Sequence, residues 1–183
     1  MNLTHHFLVS MPQLQDGCFK DSLVYILDHS QNGAFGVIVN QEMEMSLGEI
    51  FSQLSITTAD ETLGESAVLK GGPVDESHGL VLHKPGQKFE ITQDFKGGVS
   101  VSSSRDILES IAKRETHSDY LVVLGHAGWA AGQLEMEVAD NAWLTVEAST
   151  NILFDTPIAE RRQAVGNIIG VDLSTLVGHS GNA

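Results

Sequence analysis

The stretch "DYLVVLGHAGWAAGQLEMEVADNAW", from Asp119 to Trp143, carries the reading on which the fold class turns. Its opening is a nearly continuous apolar run, the mark of a strand covered on both faces. Gly125, Gly128 and Gly132 follow, and the remainder reads as a helix. At about 3.6 residues per turn, Leu134 and Val138 form one apolar stripe, and Trp129, Met136, Ala139 and Trp143 form a second. Such a helix is gripped on two sides. Glu135 falls between the stripes, flanked by alanines, which makes it a candidate for a part-buried or groove-lining carboxylate. Burial raises a carboxyl pKa and a helix N-terminus lowers it, a competition found at functional sites and in structural ion pairs alike. The plainer alternative is a long side chain reaching past small alanines to water.

Outward from this stretch, strands dominate the first half. "HFLVSM", "SLVYILD", "AFGVIVN", "AVLKG", "GLVLH", "KFEI" and "VSVSS" join "DYLVVLG" as candidates. Asn32-Gly33 between two β-branched runs predicts a hairpin, with His29 in its loop. Alternation in "VSVSS" sets Val99 and Val101 inward and Ser100 and Ser102 outward. Helices interrupt the strands. "SLGEIFSQL" opens on a Ser46/Glu49 capping box and buries Leu47, Ile50, Phe51 and Leu54. "SSRDILESIAKR" offers Ser103 with Asp106 as a second box and Ile107, Leu108 and Ile111 as its stripe. "TPIAERRQAVGNIIG" has Thr156 as N-cap, Pro157 at the first helical position and Gly170 past the end, with Ile158, Val165, Ile168 and Ile169 inward. "TTADETLGES", "KPGQ" and the tail "GHSGNA" read as loops or frayed ends. The sum is a single α/β domain over residues 1–183, a mixed β-sheet, open or closed, with helices inserted among its strands.

Composition narrows the function. The 24 acidic and 10 basic residues give a formal charge of −14. Nucleic-acid affinity rests on clustered cations, and the basic residues here are scattered, which argues against direct DNA binding. No apolar run approaches the ~18–20 residues that span a bilayer. The start lacks a basic region and a cleavage site, and a lone Cys18 fits a reducing compartment. The expectation is a cytoplasmic protein without a membrane partner.

Motif chemistry is sparse. The glycines spell neither a dinucleotide-binding fingerprint nor a P-loop, although a glycine turn before a helix can hold an anion. In "KGGPV", Gly71-Gly72-Pro73 makes a stiff turn beside Lys70. Eight histidines include no H-E-x-x-H or other ligand spacing, so neither metal nor cofactor is expected. His83 ends a strand, where a polar group can face a cleft. "GHSG" near Ser180 is no nucleophile elbow.

Taken together, "HHFLVSMPQLQDGCFKDSLVYILDH", "NGAFGVIVN", "GGPV…GLVLH", "SSSRDILESIA" and "LGHAGWAAGQLEMEVADNAWL…ILFDTPI" resemble the AlgH (YqgE) family of bacterial proteins. The resemblance runs from the first residues to the "GHS" near the end and implies one α/β domain with a mixed, barrel-like β-sheet flanked by helices. It implies no established activity. The family name reflects a proposed role in controlling alginate production, and transcriptional-regulator labels follow from it. Departures are His126 where the family often has Tyr, Arg162 where it often has Trp, and "GHS" for "GHA". The ligand-binding candidates are Gly71, Gly72, His83, Asp106, Trp129, Gln133, Glu135 and Asn141. The leading expectation is a regulatory protein that binds a small ligand or protein partner and affects transcription indirectly. The alternatives are an enzyme using Glu135 with His83 or Asp106 as acid and base, and a direct DNA-binding regulator.

Overall fold

A computed structural model describes residues 1–14 and 17–176; the "GHSGNA" tail, with the family's "GHS", lies outside the described residues. The strands are β1 (His6–Ser10), β2 (Leu23–Ser30), β3 (Gly33–Ile38), β4 (Glu42–Ser46), β5 (Ala67–Lys70), β6 (Val74–His83), β7 (Thr92–Phe95), β8 (Val99–Ser102), β9 (Tyr120–Ala130) and β10 (Trp143–Glu147). The helices are α1 (Leu47–Gln53), α2 (Glu61–Gly64), α3 (Arg105–Ala112), α4 (Gln133–Ala139), α5 (Thr150–Phe154) and α6 (Arg161–Ile169). The main sheet runs β10-β1-β2-β3-β9-β6-β8-β7 with every neighbouring pair antiparallel. β5 lies parallel to β9 and carries β4, which makes the sheet mixed.

The sheet curls into a half-barrel. Phe7, Tyr25, Leu27, Val37, Leu82, Val123 and Val146 fill its concave side, closed by Ile152 and Leu153 of α5 and Val165 of α6. Burial of each such side chain contributes about 1.5–3 kcal/mol. Arg161 is buried there too; it donates from Nη1 to the Val39 carbonyl at 2.7 Å and from Nε to the Thr156 carbonyl at 3.1 Å. That burial pulls its pKa down to about 10. At the open edge Gly97 of the β7–β8 turn leans on the His5 ring, where a Cβ would sit 1.9 Å from Nδ1.

Alternation sends the other side chains outward into two clusters. Leu47, Ile50, Phe51, Val81, Ile107, Ile111 and Val122 pack under α1 and α3. Leu8, Val24, Ile26, Ile38, Trp129, Leu134 and Trp143 pack under α4. β9 joins the two, because its first half pairs with β5 and β6 and its second half with β3.

Several expectations change on contact with this architecture. Trp129 and Trp143 are not on a helix; they end β9 and begin β10, and α4 is a seven-residue insert between them. Ser100 and Ser102 are buried rather than outward, because β8 has cover on both faces. "KFEI" is not a strand; β7 starts at Thr92. The segment after Thr156 opens as a 3-10 turn over Ile158–Glu160, and Ile168 and Ile169 face solvent. Thr156 caps nothing there and instead donates to the Asn151 carbonyl. Strands β4 and β10 and helix α5 are not among the expected elements, and "TTADETLGES", expected as a loop, contains α2 with Asp60 as its N-cap. The Ser46/Glu49 capping box, the α1 and α3 stripes apart from Leu54 and Leu108, and the Gly170 helix end are as expected.

Gly71 and Gly72 have a definite structural role. They carry the chain from β5 to β6 directly against β9, where the Gly71 N–H donates to the Leu124 carbonyl at 2.8 Å. A Cβ on Gly72, whose φ is +150°, would meet the His126 carbonyl oxygen at 2.2 Å. Gly128 has an ordinary φ, and a Cβ there would have no neighbour within 4 Å. Gly72→Ala is therefore expected to lower stability by roughly 2–4 kcal/mol, and Gly128→Ala to change it by less than about 0.5 kcal/mol. Urea midpoints of the two variants check this.

Candidate functional site

The eight candidate residues separate into three places. Gly71 and Gly72 sit at the β5–β6 crossing just described. Trp129, Gln133, Glu135 and Asn141 surround α4. His83 and Asp106 lie on the far side of β9, around β6, β8 and α3.

Around α4, Glu137 is the hub. Its Oε2 accepts the indole N–H groups of Trp129 and Trp143, each at 2.8 Å, and its Oε1 accepts from Gln133 Nε2 at 2.8 Å. Gln133 turns its own carbonyl oxygen to the Ala130 N–H at 3.0 Å. Phe19 packs edge-on to Trp143 with ring centres 5.5 Å apart. Asn141 follows the helix with φ +57°, a left-handed conformation that Asn tolerates, and its N–H donates to the Val138 carbonyl. A helix that included both tryptophans would put Glu137 on the solvent arc, which is why the sequence does not single it out.

Glu135 has a partner that was expected in a loop. His29 lies in β2, not in the hairpin turn, and is buried. A β-bulge between Ile26 and Asp28 adds one residue to β2. It reverses the alternation beyond that point, and His29 then pairs with Ala34 on the α4 side rather than following Tyr25 and Leu27 inward. The Leu3 N–H donates to His29 Nδ1 at 2.9 Å, so Nε2 carries the hydrogen and donates to Glu135 Oε1 at 3.0 Å. Asn2 Nδ2 and the Thr4 hydroxyl also bond the His29 backbone, which straps the first residues over the dyad. The Glu135 side chain is 36% exposed, although Oε2 is shielded and unpaired among the described residues. Its own N–H in the first turn of α4 and the His29 ring hold the carboxyl below its ordinary 4.5, against the opposing effect of desolvation.

His83 and Asp106 are also bonded internally. His83 Nδ1 donates to the Lys84 carbonyl at 2.9 Å, which leaves Nε2 to accept the Ser102 hydroxyl at 2.8 Å. Ser102 Oγ meets Thr92 Oγ1 at 2.8 Å, and that oxygen takes the Phe89 N–H at 2.8 Å. Ser102 and His83 have the spacing of a nucleophile and its base, but both are fully buried. Asp106 Oδ2 accepts the Glu90 N–H at 2.9 Å and Oδ1 accepts the Ser104 hydroxyl. It thereby staples the chain before β7 to the start of α3, whose N-cap is Ser104 rather than Ser103. Neither residue hydrogen-bonds Glu135. The acid–base set that needed them together is not assembled: Glu135 spends its bond on β2, on the other side of β9.

One of the open grooves is mainly apolar, with Glu76, His78, Ser103 and Arg105 also among its lining residues. Between α1 and α3 lies a groove of about 550 Å³, with Met43 and Met45 of β4, Ile50 and Leu54 of α1 and Leu108 of α3 along its walls, and Leu80, Val81, Val122 and Leu124 as its floor. Leu54, expected in the core, is 37% exposed here. None of the eight candidates lines it. Among the described residues no group of three or more His, Cys, Asp or Glu is placed to hold a metal, and no helix is long and apolar enough to cross a membrane.

Fold and sites together define a mixed α/β half-barrel protein with a methionine-walled groove on its convex side. The chain belongs to the AlgH-like family, whose model matches residues 7–174. It is 46% identical to the UPF0301 protein YqgE of Salmonella paratyphi A and 45% identical to that of Salmonella enteritidis PT4, over 100% of each chain. The solution structure of AlgH from Pseudomonas aeruginosa superposes with a TM-score of 0.83 at 38% identity, covering 100% of this chain and 97% of that one. Protein DIP2367 from Corynebacterium diphtheriae shares the fold at 18% identity, with a TM-score of 0.59 over 81% of this chain and 78% of that one. Of the two expected departures within the described residues, Arg162 donates to the Ser10 carbonyl at 3.3 Å and the Leu173 carbonyl at 3.2 Å. His126 packs on Phe35 with ring centres 4.8 Å apart.

Both carboxylates of the α4 cluster can be tested by substitution. Glu137→Leu leaves two buried indole N–H groups without an acceptor. It is expected to cost about 2–4 kcal/mol and to move both indole signals upfield in proton–nitrogen NMR spectra; unmoved indole signals would contradict the hub. For Glu135 the folded pKa lies below the unfolded one, so its contribution to stability is present above about pH 4.5 and is lost as pH falls through the lowered folded value. The stability gap between wild type and Glu135→Gln should thus hold at about pH 6 and narrow as the pH is taken below 4.5, as read by urea midpoints across an acid series.

Proposed function

We propose that this protein is a binding protein whose working surface is the groove between α1 and α3, and that any effect on transcription runs through the partner it holds. The observation that carries this reading is the contrast between the two kinds of site. The polar clusters at Glu137 and His83–Ser102 spend their hydrogen bonds within the protein, as does the His29–Glu135 pair apart from Glu135 Oε2, and Ser102 reaches the groove only as part of its floor. The groove, at about 550 Å³, has the size of a ligand or side-chain docking pocket and leaves Leu54 exposed and Leu108 half-buried. A charge of −14 with scattered cations favours a protein or small-ligand partner over DNA.

The test is a neutral apolar dye. Nile red fluorescence should rise on addition of the wild-type protein, and Leu108→Arg should weaken that binding about tenfold or more, equivalent to roughly 1.4 kcal/mol. Leu108 is only half-buried, so the variant should keep its fold, as checked by its circular dichroism. A dye that ignores the wild type, or binds the variant equally, would remove the groove as the working surface.

A further inference from the structure

We infer that the occupant of this groove is a basic amphipathic helical segment of a partner protein; the inference rests on the groove reading above and names its partner class. Strand β4, "EMEMS", sets the chemistry of the site. Its two-residue period turns Met43 and Met45 toward the groove, half-buried, and leaves Glu42 and Glu44 exposed. A second, shallower groove shares the Met43–Met45 wall and runs on past β4, lined by Glu42, Glu44, Glu49, Glu76 and Lys70. The apolar trough therefore has a carboxylate-rich margin.

The balance of charge at that margin selects the occupant. Glu42, Glu44, Glu49 and Glu76 are all exposed, with Glu49 also accepting the Ser46 N–H at 2.7 Å. Against them stand Lys70 and Arg105, and the Arg105 guanidinium is already paired with Glu109 at 2.7 Å. Phosphates, fatty-acid carboxylates and anionic membrane surfaces meet repulsion here. Lysines and arginines beside an apolar face meet attraction, which steers encounter and sets register. An amphipathic helix presents that combination, with anchors at i, i+3 or i+4, and i+7 entering a trough between two helices. Methionine thioethers suit such a surface, since they repack around differently shaped anchors. The two grooves, about 550 and 710 Å³ and joined along Met43 and Met45, together exceed what a compact cationic amphiphile fills, which favours a polypeptide.

Three synthetic peptides test this against the full chain: an amphipathic helix of leucine and lysine, the same helix with glutamate for lysine, and a leucine–lysine peptide of scrambled order. The lysine helix should displace Nile red and shift the Met43 and Met45 methyl signals and the Leu54 and Leu108 amides. The glutamate helix should not bind, and the scrambled peptide should bind at least about tenfold more weakly. Removing charge with Glu44→Gln and Glu76→Gln together should weaken the lysine helix several-fold, with the effect shrinking at high salt. Equal binding of the glutamate helix or of the scrambled peptide, or shifts that fall outside the groove, would overturn the inference. Dye entry without displacement by any peptide would overturn it while leaving the groove reading standing; absence of both would overturn both.

Discussion

Between Leu124 and Ala127 the backbone of β9 changes neighbours, and the rest of the structure is arranged around that change. Before it, β9 lies parallel to β5 and antiparallel to β6; after it, β9 pairs with β3. The link from β5 to β6 must pass β9 at the same place. A Cβ on Gly71 would meet the Gly125 carbonyl oxygen at 2.3 Å, and Gly125 itself has φ +75°. Only backbone without side chains can approach so closely. The crossing bends the sheet and divides its convex side in two, one half covered by α4 and the other by α1 and α3.

The two halves use their polar residues differently. On the α4 side, strands bring Trp129 and Trp143 to either flank of Glu137, and one carboxylate satisfies both indoles. His29 and Glu135 then join β2, the first residues of the chain and α4. These bonds make α4, a helix too short to be stable alone, a fixed part of the sheet. On the α1–α3 side, polar groups sit at the edges, in the Ser46/Glu49 box and the Asp106 staple. The centre is left to Met43, Met45, Leu54 and Leu108, with no element of the described residues laid across them.

Much of the fold is legible because it rests on local signals. The β2–β3 hairpin follows from Asn32-Gly33, α1 from its capping box, and the end of α6 from Gly170. The candidate site is less legible, for physical reasons that can be named. A bulge in β2 carries no signature in "YILDHS", yet it alone turns His29 toward Glu135. Trp129 and Trp143 fit a helical stripe by period, and tertiary pairing places them on strands instead. Leu54 and Leu108 extend the stripes of α1 and α3, so they read as core, although they lie on the wall of an open groove. The available signal for the groove is "EMEMS", a plain period of two ahead of a capped helix, too short to declare a strand without its β5 partner.

The proposed working surface is the groove and not the α4 cluster. The protein's methionines report on both, because Met43 and Met45 wall the groove and Met136, 63% exposed, projects from α4. With carbon-13 in the methionine methyl groups, proton–carbon spectra of the purified protein can be compared with spectra in extract of the cells that make it. The expected result is that the Met43 and Met45 signals shift or broaden in extract while Met136 stays sharp and in place. Movement of Met136 with Met43 and Met45 unchanged would contradict it.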